Sequence, residues 1–242
     1  MRPFLSGFAA LLMAGSLAAC DAPEPAPSPT AAIDDSPIAA TEVLASPPST
    51  DATQVAEIYT IVMLGDSLTA GFGLPPSDAL PAEIERLLQS EARPLKLINA
   101  GVSGDTSAGG LARYDWSVAS ANPDLLVIAL GANDYLTGLD PDQTRANLSA
   151  IIDRAMADNL DILLVSVSAR SSSEDDPRAA DFATIYPDLA QTYDVPLYEG
   201  LIEPIFDQPT LLMPDGLHPT AEGVRVMAAP LAQALSELLT HE

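Results

Sequence analysis

From residue 57 onward, apolar positions alternate between the spacing of buried strands and the spacing of amphipathic helices. Ile58-Tyr59-Thr60-Ile61-Val62-Met63-Leu64 reads as a buried strand. A helix is predicted over 80–91, with Ile84, Leu87 and Leu88 on one face. A second strand covers 95–99, and another helix follows Thr106. The run 124–130, with Leu125-Leu126-Val127-Ile128-Ala129-Leu130, has the unbroken apolar character of a central parallel strand. Next come a helix over 142–159, opened by Pro141, and a fourth strand over 161–167. A helix over 181–193 is expected to kink or break at Pro187, a short fifth strand to cover 195–198, and a last helix 221–239.

Strands and helices alternating in this way predict one three-layer α/β domain, covering 56–242, around a parallel sheet. In such sheets ligands bind beyond the carboxyl ends of the strands. Three chemically loaded strings lie at those ends. Gly65-Asp66-Ser67-Leu68 follows the first strand, Gly101-Val102-Ser103-Gly104-Asp105 the second and Gly131-Ala132-Asn133-Asp134 the third. A fourth, Asp215-Gly216-Leu217-His218, lies in a late loop. They are expected to converge on one rim.

The residue types fit acyl transfer. Ser67 presents a hydroxyl at a strand-to-helix turn, where unpaired N–H groups favour negative charge. His218 is the natural base, because the chain has two histidines and the other, His241, is next to the last residue. If the Asp215 segment forms a helical turn, the carboxylate lies on the same side as the imidazole and fixes its tautomer. Asn133 offers an amide N–H, and Gly104 and Ser67 offer backbone N–H groups, for an oxyanion. Asp66 reads as scaffold for the turn. Each residue also has a structural use on its own: a serine cap, a glycine turn, an Asp-Gly bend. Their combination is what points to a nucleophile, a base with its orienting acid, and an oxyanion hole.

Four strings carry a resemblance: Gly65-Asp66-Ser67-Leu68-Thr69-Ala70-Gly71, Asn99-Ala100-Gly101-Val102-Ser103-Gly104-Asp105-Thr106, Gly131-Ala132-Asn133-Asp134 and Asp215-Gly216-Leu217-His218-Pro219. Together they resemble the four blocks of the GDSL, or SGNH, hydrolases. The lettered residues fall on Ser67, Gly104, Asn133 and His218, and Asp215 matches the triad acid. Ile185-Tyr186-Pro187-Asp188-Leu189-Ala190 and Tyr193-Asp194-Val195-Pro196-Leu197 are similar to the bacterial periplasmic thioesterase, lysophospholipase and arylesterase branch. The resemblance implies a flavodoxin-like fold with a five-stranded sheet in the order 2-1-3-4-5. It also implies hydrolysis of carboxylic esters or thioesters through an acyl-Ser67 intermediate, with no cofactor and no metal. The segment 167–177, Val-Ser-Ala-Arg-Ser-Ser-Ser-Glu-Asp-Asp-Pro, departs from the branch, which is usually Pro-rich here. Its polarity suggests a shorter or more polar acyl site. It leaves room for a carbohydrate or peptidoglycan O-deacetylase. Outside enzymes, the remaining reading is a tethered binding lipoprotein.

Residues 1–19 carry Arg2, an apolar run and small residues before Cys20, the features of a secretory leader. Leu17-Ala18-Ala19-Cys20 resembles a bacterial lipobox, and Cys20 is the single cysteine. A lipid on Cys20 and a Pro/Ala/Ser-rich tether over 20–55 would hold the catalytic domain in the periplasm, anchored to a membrane. The net charge of −24 becomes −25 without Arg2, which argues against nucleic acid as a partner. The expected partner is a small ester or thioester, and the expected catalytic domain is a monomer.

Overall fold

The apolar run at the start of the domain forms β1, Tyr59–Gly65, and its last residue leads straight into α1, Ser67–Ala70. The computed structural model describes residues 58–89, 94–167 and 177–240. The proposed leader, Cys20, the tether, most of the polar 167–177 segment and His241 lie outside the described residues. The chain continues through α2, Leu80–Leu88, and β2, Leu95–Gly101, to α3, Ser107–Ala112, and α4, Tyr114–Ser117. Then come β3, Leu125–Ala129, α5, Ala132–Thr137, α6, Pro141–Ala157, and β4, Asp161–Val165. The final elements are α7, Pro177–Tyr193, β5, Leu197–Tyr198, and α8, Ala221–Thr240.

All four strand pairings are parallel, and the sheet order is β2-β1-β3-β4-β5, as the resemblance implied. The central strands are apolar throughout because both faces are covered. Ile61, Met63 and Val127 pack with Leu80 and Ile84 of α2 and with Val224, Met227 and Leu231 of α8. Val62, Leu64, Leu126 and Ile128 point to the other side, against Leu148, Ile151 and Ile152 of α6 and Ile185 of α7. Burying each such side chain contributes about 1.5–3 kcal/mol, so the two layers fix the register of the sheet.

Three expectations need correction. Pro187 does not break its helix, because α7 runs from Pro177 to Tyr193 without interruption. The apolar residues Phe182, Ile185 and Leu189, on both sides of the proline, are seated in the same core layer, which compensates for one missing helical hydrogen bond. The fifth strand shrinks to two residues. The Asp215–His218 segment is an irregular turn, not a helical one.

The rim at the carboxyl end of the sheet requires close approach of backbones. A Cβ on Gly101 would lie 2.3 Å from the Ala70 nitrogen, so only glycine lets β2 end against α1.

Candidate active site

Ser67 is the first residue of α1, and its N–H has no intrahelical acceptor. Asp66 caps this short helix: its Oδ1 accepts the Leu68 N–H at 3.0 Å. The Ser67 hydroxyl lies 3.0 Å from His218 Nε2, across 151 residues of sequence. His218 Nδ1 lies 2.8 Å from Asp215 Oδ2. The three side chains form one hydrogen-bonded line.

The turn that presents His218 is built by Asp215 itself. Asp215 Oδ1 accepts the N–H of Leu217 at 2.9 Å and of His218 at 3.0 Å, while Gly216 takes a left-handed φ of +67°. The Met213 N–H donates to the His218 carbonyl at 2.7 Å and closes the loop behind it. Hydrogen bonds from the His218 backbone, the His218 ring and the Leu217 N–H hold the Asp215 carboxyl down to about 2. Phe72 lies against the imidazole, with ring centroids 4.3 Å apart, and shields one face of it from water.

Gly104 and Asn133 join the same cleft. Gly104 takes φ +85° at a turn closed by the Asp105 N–H on the Val102 carbonyl. Asn133 sits in the first turn of α5, after Gly131. Its Nδ2 donates to the Asp105 carbonyl at 2.9 Å and to Asp66 Oδ2 at 3.2 Å. The sequence reading offered this amide to an oxyanion. The amide is held on two sides, and an oxyanion must share one of its protons. Asp66 is buried, and desolvation lifts its carboxyl to about 6, against the pull of the Leu68 N–H and the charge of His218. Asp134 is fully buried. It accepts the N–H and hydroxyl of Ser107 and the Thr144 hydroxyl, tying α5 to the start of α3.

These groups open into a cleft of about 330 Å³. Its walls include Leu68, Leu136, Val167, Ile202, Phe206 and Leu212. The described walls are thus largely apolar, and residues 168–176, on which the expectation of a more polar acyl site rests, lie outside the described residues.

The sequence profile of the GDSL-like lipase/acylhydrolase family matches residues 63–226, which span all four strings. The chain belongs to this family. It is 34% identical over 183 residues to the thioesterase 1/protease 1/lysophospholipase L1 of Escherichia coli K12, covering 76% of this chain and 86% of that protein. It is also 34% identical over 182 residues to an arylesterase of Vibrio mimicus, covering 75% and 88%. The crystal structure of AlinE4, an SGNH-hydrolase family esterase, superposes with a TM-score of 0.63 at 38% identity, covering 76% of this chain and 97% of AlinE4. As a GDSL-like acylhydrolase the protein is a serine ester hydrolase, which removes the reading as a non-catalytic binding lipoprotein.

Sequence reasoning missed several residues that line the cleft, and one that is buried elsewhere in the domain. Phe72 and the wall residues Ile202, Phe206 and Leu212 lie in segments without periodicity. Arg113 was overlooked because a charged residue at a helix end ordinarily reads as solvated surface. It is 6% exposed.

Proposed function

We propose that the protein hydrolyses carboxylic esters and thioesters of apolar acyl chains through an acyl-Ser67 intermediate. What carries this reading is the line Ser67 Oγ–His218 Nε2–Asp215, 3.0 Å and 2.8 Å, opening into an apolar cleft. His218 Nε2 takes the Ser67 proton as Oγ bonds to the acyl carbon. The carbonyl oxygen becomes an oxyanion beside the N–H groups of Ser67 and Gly104 and the Asn133 amide. Collapse of this intermediate breaks the bond to the leaving oxygen or sulfur, which receives the proton from His218. Water then gives a proton to His218 and attacks the acyl carbon, releasing the acid and restoring Ser67. Asp215 remains ionised and supports the imidazolium.

The names of the relatives favour acyl groups carried on a thiol, a lysophospholipid or an aryl alcohol. The apolar walls favour chains longer than acetyl. Each buried CH₂ contributes about 0.8 kcal/mol, roughly fourfold in kcat/KM, until the cleft is full. A series of p-nitrophenyl esters from acetate to palmitate, with palmitoyl-CoA and lysophosphatidylcholine beside acetyl-xylan, tests this. The expected profile rises from acetate to a medium chain. A maximum on acetate or acetyl-xylan would transfer the assignment to the O-deacetylase reading.

We also propose that the protein is a lipoprotein, anchored through Cys20 with the catalytic domain in the periplasm. The support is the Leu17-Ala18-Ala19-Cys20 string. Among the described residues no helix is long and apolar enough to cross a membrane. Cells fed labelled palmitate should yield labelled wild-type protein and unlabelled Cys20→Ser. Equal label in both would remove the anchor.

A further inference from the structure

Three separate pieces of chain supply the oxyanion donors, and one buried side chain touches the supports of all three. Arg113 closes α3 and opens α4, with its guanidinium turned inward. Its Nη2 donates to the Gly65 carbonyl at 2.9 Å, two residues before Ser67. Its Nη1 donates to the Ala100 carbonyl at 2.7 Å, at the end of β2, and to the Ser117 hydroxyl at 3.0 Å. Its Nε donates to Asp105 Oδ2 at 2.5 Å. Asp105 adjoins Gly104, and the Asp105 carbonyl takes the Asn133 amide.

We propose that Arg113 is a positioning residue that sets the geometry of the oxyanion hole by tying the Ser67, Gly104 and Asn133 segments together from beneath. This rests on the ester-hydrolase reading given above. The chemistry of the guanidinium suits the task. It is planar, always charged, and projects donors in fixed, diverging directions. Carbonyls at the ends of two neighbouring strands and a carboxylate in the next loop lie along those directions. A lysine would keep the charge but could not hold three separated acceptors at fixed angles. The donors matter to the transition state more than to the bound ester, so a slackened hole lowers kcat and leaves KM nearly intact.

The test compares wild type, Arg113→Lys and Arg113→Ala with p-nitrophenyl butyrate, well below each protein's melting temperature. Rates are normalised to sites labelled by a fluorophosphonate. The expected result is a kcat lower by about 10²-fold in both variants, the size of loss that a misplacement near 1 Å can produce, with KM within threefold. Added guanidinium ion should restore part of the kcat of Arg113→Ala, whereas equal ionic strength from sodium chloride should not. If Arg113 serves stability alone, Tm falls while kcat per labelled site equals wild type, and the proposal is overturned. If neither variant folds, Asp105→Asn decides. It keeps the carbonyl that holds Asn133 but weakens the ionic tie, so a fall of about tenfold in kcat with KM held supports the proposal, and an unchanged kcat overturns it. Wild-type protein without esterase activity would instead sink the ester-hydrolase reading and this proposal with it. An active wild type with fully active variants sinks this proposal alone.

Discussion

Ser67→Ala is expected to lower kcat/KM on p-nitrophenyl butyrate by about 10⁴- to 10⁶-fold, with Tm unchanged within about 1 °C. The substitution removes one oxygen and little else. The backbone N–H of residue 67 stays at the start of α1, and Asp66 still caps that helix through the Leu68 N–H. Alanine is also a good helix residue, so the local fold has no reason to shift. What disappears is the atom 3.0 Å from His218 Nε2 to which the proposed mechanism gives the acyl bond. The residual rate would come from binding and the oxyanion donors acting on water. A fluorophosphonate probe should label wild-type protein once per chain and leave the variant unlabelled. The cleft also contains Ser103, so the labelled peptide must be sequenced. Label on Ser103, or a folded variant retaining a tenth of the activity, would defeat the assignment of Ser67 as nucleophile.

The central strands were legible because burial on both faces forces continuous apolar runs, and 124–130 contains β3 almost to the residue. The helices α2, α6 and α8 were legible because each packs one stripe on the sheet. Helix α5 was not, since six residues carry no readable period and it begins inside the Gly131–Asp134 string. The four strings meet at one cleft because each follows a strand end or sits in the one loop containing an internal histidine. Their detailed geometry was less accessible. A helical turn was one way for the spacing to bring Asp215 and His218 to one side, but the aspartate builds a side-chain-capped turn that a three-residue spacing does not distinguish from a helix. The double engagement of Asn133 was hidden too, because its acceptors lie 28 and 67 positions earlier in the chain. The same holds for Arg113, whose burial makes sense only once the ends of β1 and β2 are side by side.

Asp215→Asn separates the chemistry of the acid from its structural work, and is expected to reduce kcat by about 10⁴-fold. The asparagine side-chain oxygen can still accept the N–H groups of residues 217 and 218, so the turn should survive. Its NH₂ then faces His218 Nδ1, which must become an acceptor. The ring proton moves to Nε2, the nitrogen that must receive the proton of Ser67, and the base is lost. Asp215→Ala should be equally slow but should also loosen the turn. The pH dependence has a definite sign. The native turn holds the Asp215 carboxyl at about 2, below its ordinary 3.8, so the stabilisation it brings is complete above pH 4 and disappears as pH falls through 2. Asp215→Asn should therefore melt below wild type at pH 7, and the gap should narrow as pH is lowered from 4 to 2. Because the carboxylate is half-exposed, the difference in Tm should be small beside the effect on rate. A variant with normal kcat at pH 7 would mean that His218 keeps its working tautomer without Asp215, and the triad would reduce to a Ser67–His218 pair.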